Sequence, residues 1–205
     1  MFYCIFNYTK AMKYIIGLGN PVDVYMGTRH NIGSDLLIQY AGGMDAFRHN
    51  SMLNALVKAG DDYTIVLPQS YMNISGDSVR KIEGIKSLVV EKGDSVLVVH
   101  DDVDLPLGEI KFSFNSGSGG HNGVQSIIEH IGTQTFSRLR IGVLPVIDGE
   151  VRKPRGDDAI ATFVLKRFTE SEQEVLAKDI PRFNTALDVW IKEGIDKAST
   201  ALHLK

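Results

Sequence analysis

The sequence has few of the residues that point to an unusual class of protein. It contains one cysteine, Cys4, so no disulfide can form within the chain, and its 6 Pro and 20 Gly among 205 residues exclude a collagen-like or low-complexity polymer. No apolar run approaches the roughly 18 residues of a membrane-spanning helix. The formal net charge of -3 argues against coating nucleic acid by bulk charge, so an RNA contact would need a local basic cluster. We expect a globular protein of a reducing compartment, the cytoplasm.

Residues 1–11 do not resemble a targeting signal. Their apolar part, Phe2 to Phe6, is too short for the hydrophobic region of a signal peptide, no Lys or Arg precedes it, and no small-x-small cleavage site follows. Met12 stands directly before the first strand-like run. We therefore expect residues 1–11 to be an N-terminal extension, dispensable or read from an upstream start codon, and residues 12–205 to form one domain.

Strand-like and helix-like patterns alternate along the chain. Runs rich in β-branched residues and bounded by Gly, Pro, Asp or Asn predict strands. These runs are Lys13 to Leu18, Ala55 to Lys58, Tyr63 to Leu67, Ser95 to His100, Ile110 to Phe114, Arg138 to Leu144 and Ala161 to Leu165. Apolar residues at helical spacing follow Asn31, Ser75 (as far as Ile85) and Asn122. The alternation predicts an α/β fold, a single-domain three-layer α/β/α arrangement with a mixed, mostly parallel sheet covered by helices.

The C-terminal region carries separate helix signals. Thr169 and Glu172 match a capping box, and apolar residues then recur every three or four positions as far as Ile195. Pro181 falls inside this pattern. Because proline lacks a backbone N–H, we expect it to kink the helix or to restart it with Asp179 as the new N-cap.

In open parallel sheets ligands bind beyond the carboxyl ends of the strands, which points here to two polar segments, one after the first strand and one after the fourth. The first contains Asn20. Two positions later, Val22 stands where a dinucleotide-binding turn would need its third glycine. Asn20 either contributes to a site or caps its own turn. The second begins at His100, and there we expect Asp101 to be functional and Asp102 and Asp104 to be solvated acids of a turn.

His30 precedes a predicted helix and is a candidate general base, because imidazole has an ordinary pKa of about 6.5. A lone histidine is more often structural. A carboxylate at the end of a buried strand, such as Asp101, could nevertheless orient the imidazole and stabilise its protonated form. The His and Asp side chains of the segment that begins at His100 could instead bind a metal ion, although no His lies at a spacing that completes a facial set and no H-E-x-x-H motif is present.

Two further polar segments open helices. Asn73 follows Met72, and His121 and Asn122 follow the glycine-rich run that begins at Asn115. Both asparagines could simply be helix N-caps. The glycine-rich run lacks the Lys-Ser or Lys-Thr of a P-loop, but its missing side chains let a ligand approach the backbone closely.

The chain has no obvious covalent nucleophile. It contains no G-x-S-x-G elbow, and its single cysteine is Cys4 in the N-terminal segment. One His, one Asp and three Asn at the ends of segments suit attack by water on an acyl group, since amide side chains can hold the water, a substrate amide and the developing oxyanion. Such a set would suffice for an activated ester and would be weak for an amide.

Five ordered segments together resemble bacterial-type peptidyl-tRNA hydrolases. They are Gly17 to Pro21, Thr28 to Gly33, Tyr71 to Gly76, His100 to Pro106 and Gly119 to Gly123. The resemblance implies an enzyme that cleaves the ester between a peptide's carboxyl end and the 3′ ribose of tRNA, recycles the tRNA, and spares aminoacyl-tRNA with a free amine. It implies a monomeric α/β protein without cofactor or metal, with the acceptor stem and 3′ end of peptidyl-tRNA as its partner and no contact with a membrane.

The resemblance also implies roles for the central polar residues. His30 corresponds to the base that activates water, and Asp101 to the carboxylate that orients it. Asn20 and Asn73 would position the water and the peptide end, with Asn20 among the catalytic residues. Asn122 would contribute to the acyl site and its oxyanion.

Further residues match the family's binding positions. Tyr25 and Met72 would line the pocket, His121 would lie at its rim, and Lys111 and Arg140 would hold the 5′ phosphate of the acceptor stem. These two cations belong to a local basic set on an acidic chain. The complete set is Lys111, Arg138, Arg140, Arg152, Lys153 and Arg155.

The sequence departs from the family pattern at Val22, usually Gly, at Ser113, often a second basic residue of the phosphate clamp, and at Leu144 to Val146, usually Gly-His-Pro. None of these departures touches the base, the acid or the three asparagines. A non-catalytic RNA-binding factor of the same fold and a metal-assisted hydrolase are the alternative functions.

Overall fold

The structure is a computed structural model and describes residues 12–203, in which nine strands form one large sheet and a small hairpin. The proposed extension, residues 1–11, lies outside the described residues. The strands are β1 Lys13–Gly17, β2 Arg48–Asn50, β3 Ala55–Ala59, β4 Tyr63–Pro68, β5 Val96–Pro106, β6 Ile110–Phe114, β7 Ser137–Leu144, β8 Val146–Ile147 and β9 Glu150–Val151.

The large sheet has the order β2-β3-β4-β1-β5-β7-β6, and β8 and β9 form the separate hairpin. β1 pairs in parallel with β4 and β5, and β5 pairs in parallel with β7. Antiparallel pairs lie toward the two edges, so that β3 and β6 run against the other strands of this sheet. The expected mixed, mostly parallel sheet is confirmed.

The α-helices of the described residues cover both faces of this sheet. They are α1 Val22–Tyr25, α2 Ile32–Tyr40, α3 Ser75–Arg80, α4 Ile85–Glu91, α5 Asn122–Ile131, α6 Asp157–Val164, α7 Glu170–Glu193 and α8 Ile195–Ala201. A hydrophobic core lies on each face of the sheet, and successive residues of β1 point into different cores. Ile15 packs in the core with α2, α7 and α8, and Ile16 packs in the core with α3, α4 and α5. This alternation is the two-residue period of a strand buried on both sides, and it confirms the three-layer arrangement.

A glycine brings α2 unusually close to the centre of the sheet. A Cβ added at Gly33 would lie 2.2 Å from the carbonyl oxygen of Val99 in β5. Only a residue without a side chain permits that approach. As a result, the 3₁₀ turn Arg29–Asn31 that precedes α2 lies against β5.

One predicted strand is a helix. Ala161 to Leu165 was expected to be extended, but α6 begins at Asp157 and includes most of this run. A short apolar run fits both the strand and the helix periods. The deciding signals lie upstream, where Gly156 has a φ of +86° and Asp157 and Asp158 occupy the first helical turn, which favours acidic side chains.

The expected break at Pro181 does not occur, because α7 continues through it from Glu170 to Glu193. Asp179 is not an N-cap; its carboxylate accepts a hydrogen bond from Arg182 at 2.6 Å. Buried residues after the proline, Phe183 and Trp190 among them, hold the helix on the sheet and offset the lost backbone hydrogen bond. The capping box of Thr169 and Glu172 is confirmed.

Two other element ends differ from expectation. The helical pattern from Ser75 to Ile85 is divided: α3 ends at Arg80, and α4 begins after Gly84, which has a left-handed φ of +73°. β5 does not end at His100 but continues to Pro106 with an irregular register after Asp102. Asp101 therefore lies within the strand, not beyond its end.

Candidate active site

A cleft of about 1040 Å³ opens where the loop after β1, the central part of β5 and the glycine-rich loop before α5 meet. Helix α6 lines its opposite side. The predicted site residues that line this cleft are Asn20, Tyr25, His30, Met72, Asn73, Asp101, His121, Asn122 and Arg140. Of the ten predicted positions, Lys111 alone is not part of the lining.

His30 and Asp101 are in direct contact at the floor of the cleft. Nδ1 of His30 lies 2.8 Å from Oδ1 of Asp101, across 71 positions of sequence. Because the carboxylate can only accept, the imidazole donates from Nδ1, and in the neutral ring this leaves the lone pair on Nε2. That is the tautomer a general base needs when a carboxylate orients it from behind.

His121 occupies the other side of the same carboxylate oxygen. Its Nε2 lies 2.9 Å from Oδ1 of Asp101, while its Nδ1 accepts hydrogen bonds from the backbone N–H groups of Gly123 and Val124. His121 is therefore the N-cap of α5, and Asn122, offered above as a possible cap, is the first helical residue. Since Nδ1 accepts, Nε2 must carry the proton donated to Asp101.

The charges in this cluster are strongly coupled. Burial alone would raise the pKa of the Asp101 carboxyl, but His30 and His121 together hold it well below its usual range. Burial alone would lower the pKa of His30, but the charge of Asp101 and the hydrogen bond to it raise the pKa above the ordinary value of 6.5. Asp101 is thus ionised at neutral pH and favours the imidazolium that forms when His30 takes a proton.

Asn20 is held rigidly by two neighbouring segments. Asn31 binds the backbone of Asn20 on both sides, its Oδ1 accepting from N at 3.0 Å and its Nδ2 donating to O at 2.9 Å. The side-chain Oδ1 of Asn20 accepts from the backbone N–H of Met72 at 2.9 Å. Asn20 does not cap its own turn. Among residues 12–203 its NH₂ group has no partner, so it is available to a ligand in the cleft.

The other two asparagines lie on separate walls. Asn73 is exposed in the 3₁₀ turn Met72–Ile74 and makes no cap hydrogen bond to α3, and Asn122 is exposed at the start of α5. Tyr25 and Tyr71 form the aromatic edge of the cleft. Their rings are arranged edge to face, with the ring centroids 6.5 Å apart. The cleft therefore combines free amide groups with an apolar margin.

The two proposed phosphate ligands are neighbours in the sheet. Lys111 of β6 lies directly opposite Arg140 of β7, but only Arg140 reaches the cleft. Nε of Arg140 donates to Oδ2 of Asp102 at 2.6 Å, and Lys153 forms an ion pair with Asp104. The expectation of a solvated turn acid is wrong for Asp102, which is partly buried in β5 and paired with Arg140, whereas Asp104 is exposed to solvent as expected, although it too lies within β5.

Arg138 has a role that the sequence did not indicate. It was counted among the basic residues available to RNA, but it is buried, and its guanidinium binds the glycine-rich loop through the backbone oxygens of Ser116 and Gly117 and the hydroxyl of Ser116. Burial, together with nearby Arg140, lowers its pKa to about 10. Arg138 thus fixes the loop that leads to His121, and no local pattern distinguishes it from Arg140.

His100 is the second residue that sequence reasoning passed over. It is buried next to Asp101, donates from Nδ1 to the backbone oxygen of Asp101 at 2.7 Å, and stacks edgewise on His121 with ring centroids 4.8 Å apart. Burial lowers its pKa to about 3, so the ring is neutral. His100 is a structural neighbour of the acid and not a second base.

The donor atoms of His30, Asp101 and His121 lie within 4.8 Å of one another, which is close enough for a metal ion. The hydrogen bonds of His121 argue against that use. Its Nδ1 already accepts from two backbone N–H groups, so coordination through Nε2 would require an imidazolate. A metal-bound histidine normally donates a hydrogen bond from the ring nitrogen that does not bind the metal, whereas in His121 that nitrogen, Nδ1, accepts hydrogen bonds instead.

Comparisons with protein families, curated proteins and solved structures all identify the same family. The family model described as peptidyl-tRNA hydrolase matches residues 14–205. Proteins of that name from Thermodesulfovibrio yellowstonii and Fervidobacterium nodosum are 37% and 38% identical to this chain, with 91% and 90% of this chain and 96% and 92% of theirs covered. The crystal structure of peptidyl-tRNA hydrolase from Acinetobacter baumannii has a TM-score of 0.79 at 26% identity, covering 93% of this chain and 94% of that one.

Proposed function

The chain belongs to the peptidyl-tRNA hydrolase family and is an enzyme that cleaves the ester between a peptide and tRNA, and we propose that His30 is its general base. It is therefore a hydrolase and not the non-catalytic RNA-binding factor that the sequence left open. The family assignment establishes the reaction, whereas the role of each residue rests on the geometry of the cleft.

The contact between His30 and Asp101 carries the proposal. Nε2 of His30 takes a proton from water as the water attacks the ester carbonyl, and Asp101 stabilises the resulting imidazolium. The same proton can then pass to the 3′ oxygen of the ribose as the ester bond breaks. Every atom in this sequence comes from the substrate, water and one imidazole, so no covalent enzyme intermediate is needed.

We assign the amide groups around the base to positioning. The NH₂ group of Asn20 and the side chain of Asn73 would hold the water and the carboxyl end of the peptide, and Asn122 would stabilise the oxyanion. Amides suit these tasks because they bind a neutral or anionic oxygen without changing charge. Tyr25 and Met72 would supply the apolar surface beside the ester.

We further propose that Arg140, with Lys111 beside it, binds the 5′ phosphate of the acceptor stem. The two cations are paired across adjacent strands; Arg140 lines the cleft, and Lys111 lies beside it outside the lining. A phosphate would compete with Asp102 for the Arg140 guanidinium, because Asp102 already accepts a hydrogen bond from Nε of Arg140. His121 would lie at the rim of the substrate pocket and would also act on the base through Asp101.

The reaction is tested by incubating the purified protein with N-acetyl-aminoacyl-tRNA and with the same tRNA carrying a free amine. We expect release of tRNA from the first substrate and little from the second. Wild type and His30→Ala are compared on the acetylated substrate, together with tRNA binding. Equal turnover by the variant would contradict the assignment of the base while leaving the reaction itself in place.

Three broader expectations stay proposals. We propose that the enzyme needs no metal, which prolonged chelation tests: activity lost and then restored by one divalent ion would contradict it. We propose a monomer, which light scattering tests through the molar mass in solution. No helix within residues 12–203 is long and apolar enough to cross a membrane. A cytoplasmic location is proposed from the cysteine content and the substrate, and cell fractionation tests it.

A further inference from the structure

Arg29, the residue directly before the proposed base, is a buried cation with several close partners. Its side chain is 6% exposed, and Nη2 lies 2.7 Å from each carboxylate oxygen of Glu172. Nη1 donates to the backbone oxygens of Lys166 at 3.1 Å and Arg167 at 2.8 Å. A charged group this deeply buried is costly unless its partners are well placed, so the contacts define one arrangement of the segments involved.

Two aromatic rings lie close to the guanidinium of Arg29. Its central carbon lies 4.5 Å from the ring centroid of Phe163 in α6 and 5.1 Å from that of Phe168, which follows α6. These are distances at which a cation is attracted to an aromatic face. Arg29 therefore contacts both the last turn of α6 and the chain that leaves it.

The backbone joins the two segments as well. The N–H of Arg29 donates to the oxygen of Lys166 at 3.1 Å, and Thr28 forms an isolated bridge with Arg167. Glu172 also accepts from the backbone N–H of Thr169 as part of the capping box of α7. The 3₁₀ turn that contains the proposed base, the end of α6 and the start of α7 are consequently all held together around the side chain of Arg29.

Helix α6 matters because it is the wall of the cleft opposite the glycine-rich loop. Ile160, Ala161, Val164 and Leu165 contribute its apolar surface. Within residues 12–203, α6 packs chiefly on the 3₁₀ turn Arg29–Asn31, and its one buried residue is Val164. Its position relative to the base therefore depends on contacts such as those of Arg29.

We infer that Arg29 is a positioning residue: it holds the α6 wall at a set distance from His30, and this distance determines how tightly the cleft binds the substrate. The inference rests on the proposed function of the cleft. Arg29 does not touch the reacting atoms, and its guanidinium acts through the wall. Its effect should therefore fall on KM more than on kcat.

Arg29→Lys is the test, because an ammonium cannot serve the carboxylate and two carbonyls in the same fork geometry. We expect KM to rise about tenfold, as befits the loss of one charged hydrogen bond at the wall, with kcat within about threefold of wild type. Amide hydrogen exchange in 157–164 should become faster. Glu172→Gln, which keeps the capping contact but removes the charge, should show the same changes to a smaller extent.

Arg182→Lys is the matched control, since Arg182 also pairs with an acid, Asp179, but on a part of α7 outside the cleft lining. It should leave KM and exchange in α6 unchanged. Unaltered exchange in Arg29→Lys would show that Arg29 does not hold α6, and faster exchange with unaltered KM would show that the wall does not determine binding. Either result overturns the inference.

A fall in kcat at constant KM would also overturn it, because the effect would then lie in the His30 turn. If Arg29→Lys does not fold, Glu172→Gln decides by the same criteria. Failure of the proposed base is separately visible, since it appears as turnover by His30→Ala and does not alter exchange in α6. The two ideas can therefore fail independently.

Discussion

His30 donates its Nδ1 proton to Oδ1 of Asp101 over 2.8 Å, and that same oxygen accepts a second hydrogen bond from His121. The proposed base and the N-cap of α5 thus share one acceptor atom. Replacing or protonating one histidine therefore changes the electrostatic interaction of the other with Asp101, because both are hydrogen-bonded to the same carboxylate.

Replacing the base should reduce the chemical step while sparing binding. We expect His30→Ala to lower kcat by about 10² to 10⁴, the usual contribution of a general base. Affinity for uncleaved tRNA should stay near that of wild type, because the phosphate ligands lie elsewhere in the cleft. Single-turnover kinetics and a binding titration measure the two effects, and the exposed His49→Ala in β2 is the control for loss of an imidazole. Weakened binding with unaltered kcat would contradict the assignment.

The pH profile should show the raised pKa of His30. The base must be neutral to accept a proton, so kcat/KM should increase with pH through a midpoint above 6.5 and then level off. In Asp101→Asn the charge that raises this pKa is gone and burial then dominates, so the midpoint should move to lower pH while the plateau falls. Rates measured from pH 5 to 9 test this. A midpoint that moves upward in Asp101→Asn would contradict it.

His121 should influence both stability and the pH profile. His121→Ala removes the acceptor for two N-terminal backbone groups of α5, which should cost about 0.5 to 2 kcal/mol of unfolding free energy. It also removes a competing donor from Oδ1 of Asp101, so the carboxylate should hold a protonated His30 more strongly and shift the midpoint of kcat/KM to higher pH.

Denaturant titration and a pH series separate these two effects of His121. His121→Asn is the comparison, because asparagine is a good N-cap and should restore much of the stability. The shift in midpoint should persist in that variant, since its shorter side chain does not reach Asp101. Recovery of both quantities together would mean that His121 acts on the base only through helix stability.

Arg140 should matter for affinity more than for chemistry. Arg140→Ala is expected to raise KM more than it lowers kcat, and to make the dependence of log Kd on log salt shallower by about one unit, as for the loss of one phosphate contact. Removing the 5′ phosphate from the tRNA should weaken binding to wild type but have little further effect on the variant. Arg48→Ala, at an exposed position of β2 on the opposite edge of the large sheet, is the control. If dephosphorylation impairs Arg140→Ala as much as wild type, another residue binds the phosphate.

Local patterns were sufficient for the elements whose signals lie within them. The helices after Asn31 and Asn122 each combine a periodic apolar stripe with a polar start, and β1 is apolar on both faces because it lies at the centre of the sheet. The run Ala161 to Leu165 carried no such combination. A run of only five residues fits both the two-residue period of a strand and the 3.6-residue period of a helix, and the glycine and the acids that start α6 lie before this run.

The sequence by itself indicated the reaction class and the candidate polar residues, through five ordered segments that resemble one family and through one His, one Asp and three Asn that suit water attack on an ester. Only the tertiary structure decided which side chains share partners. Nothing near His121, Arg138 or Arg29 in the chain indicates that they bind Asp101, the glycine-rich loop and Glu172. Patterns along a sequence report interactions within a few residues, whereas these partners meet because two helical layers and a sheet bury them together.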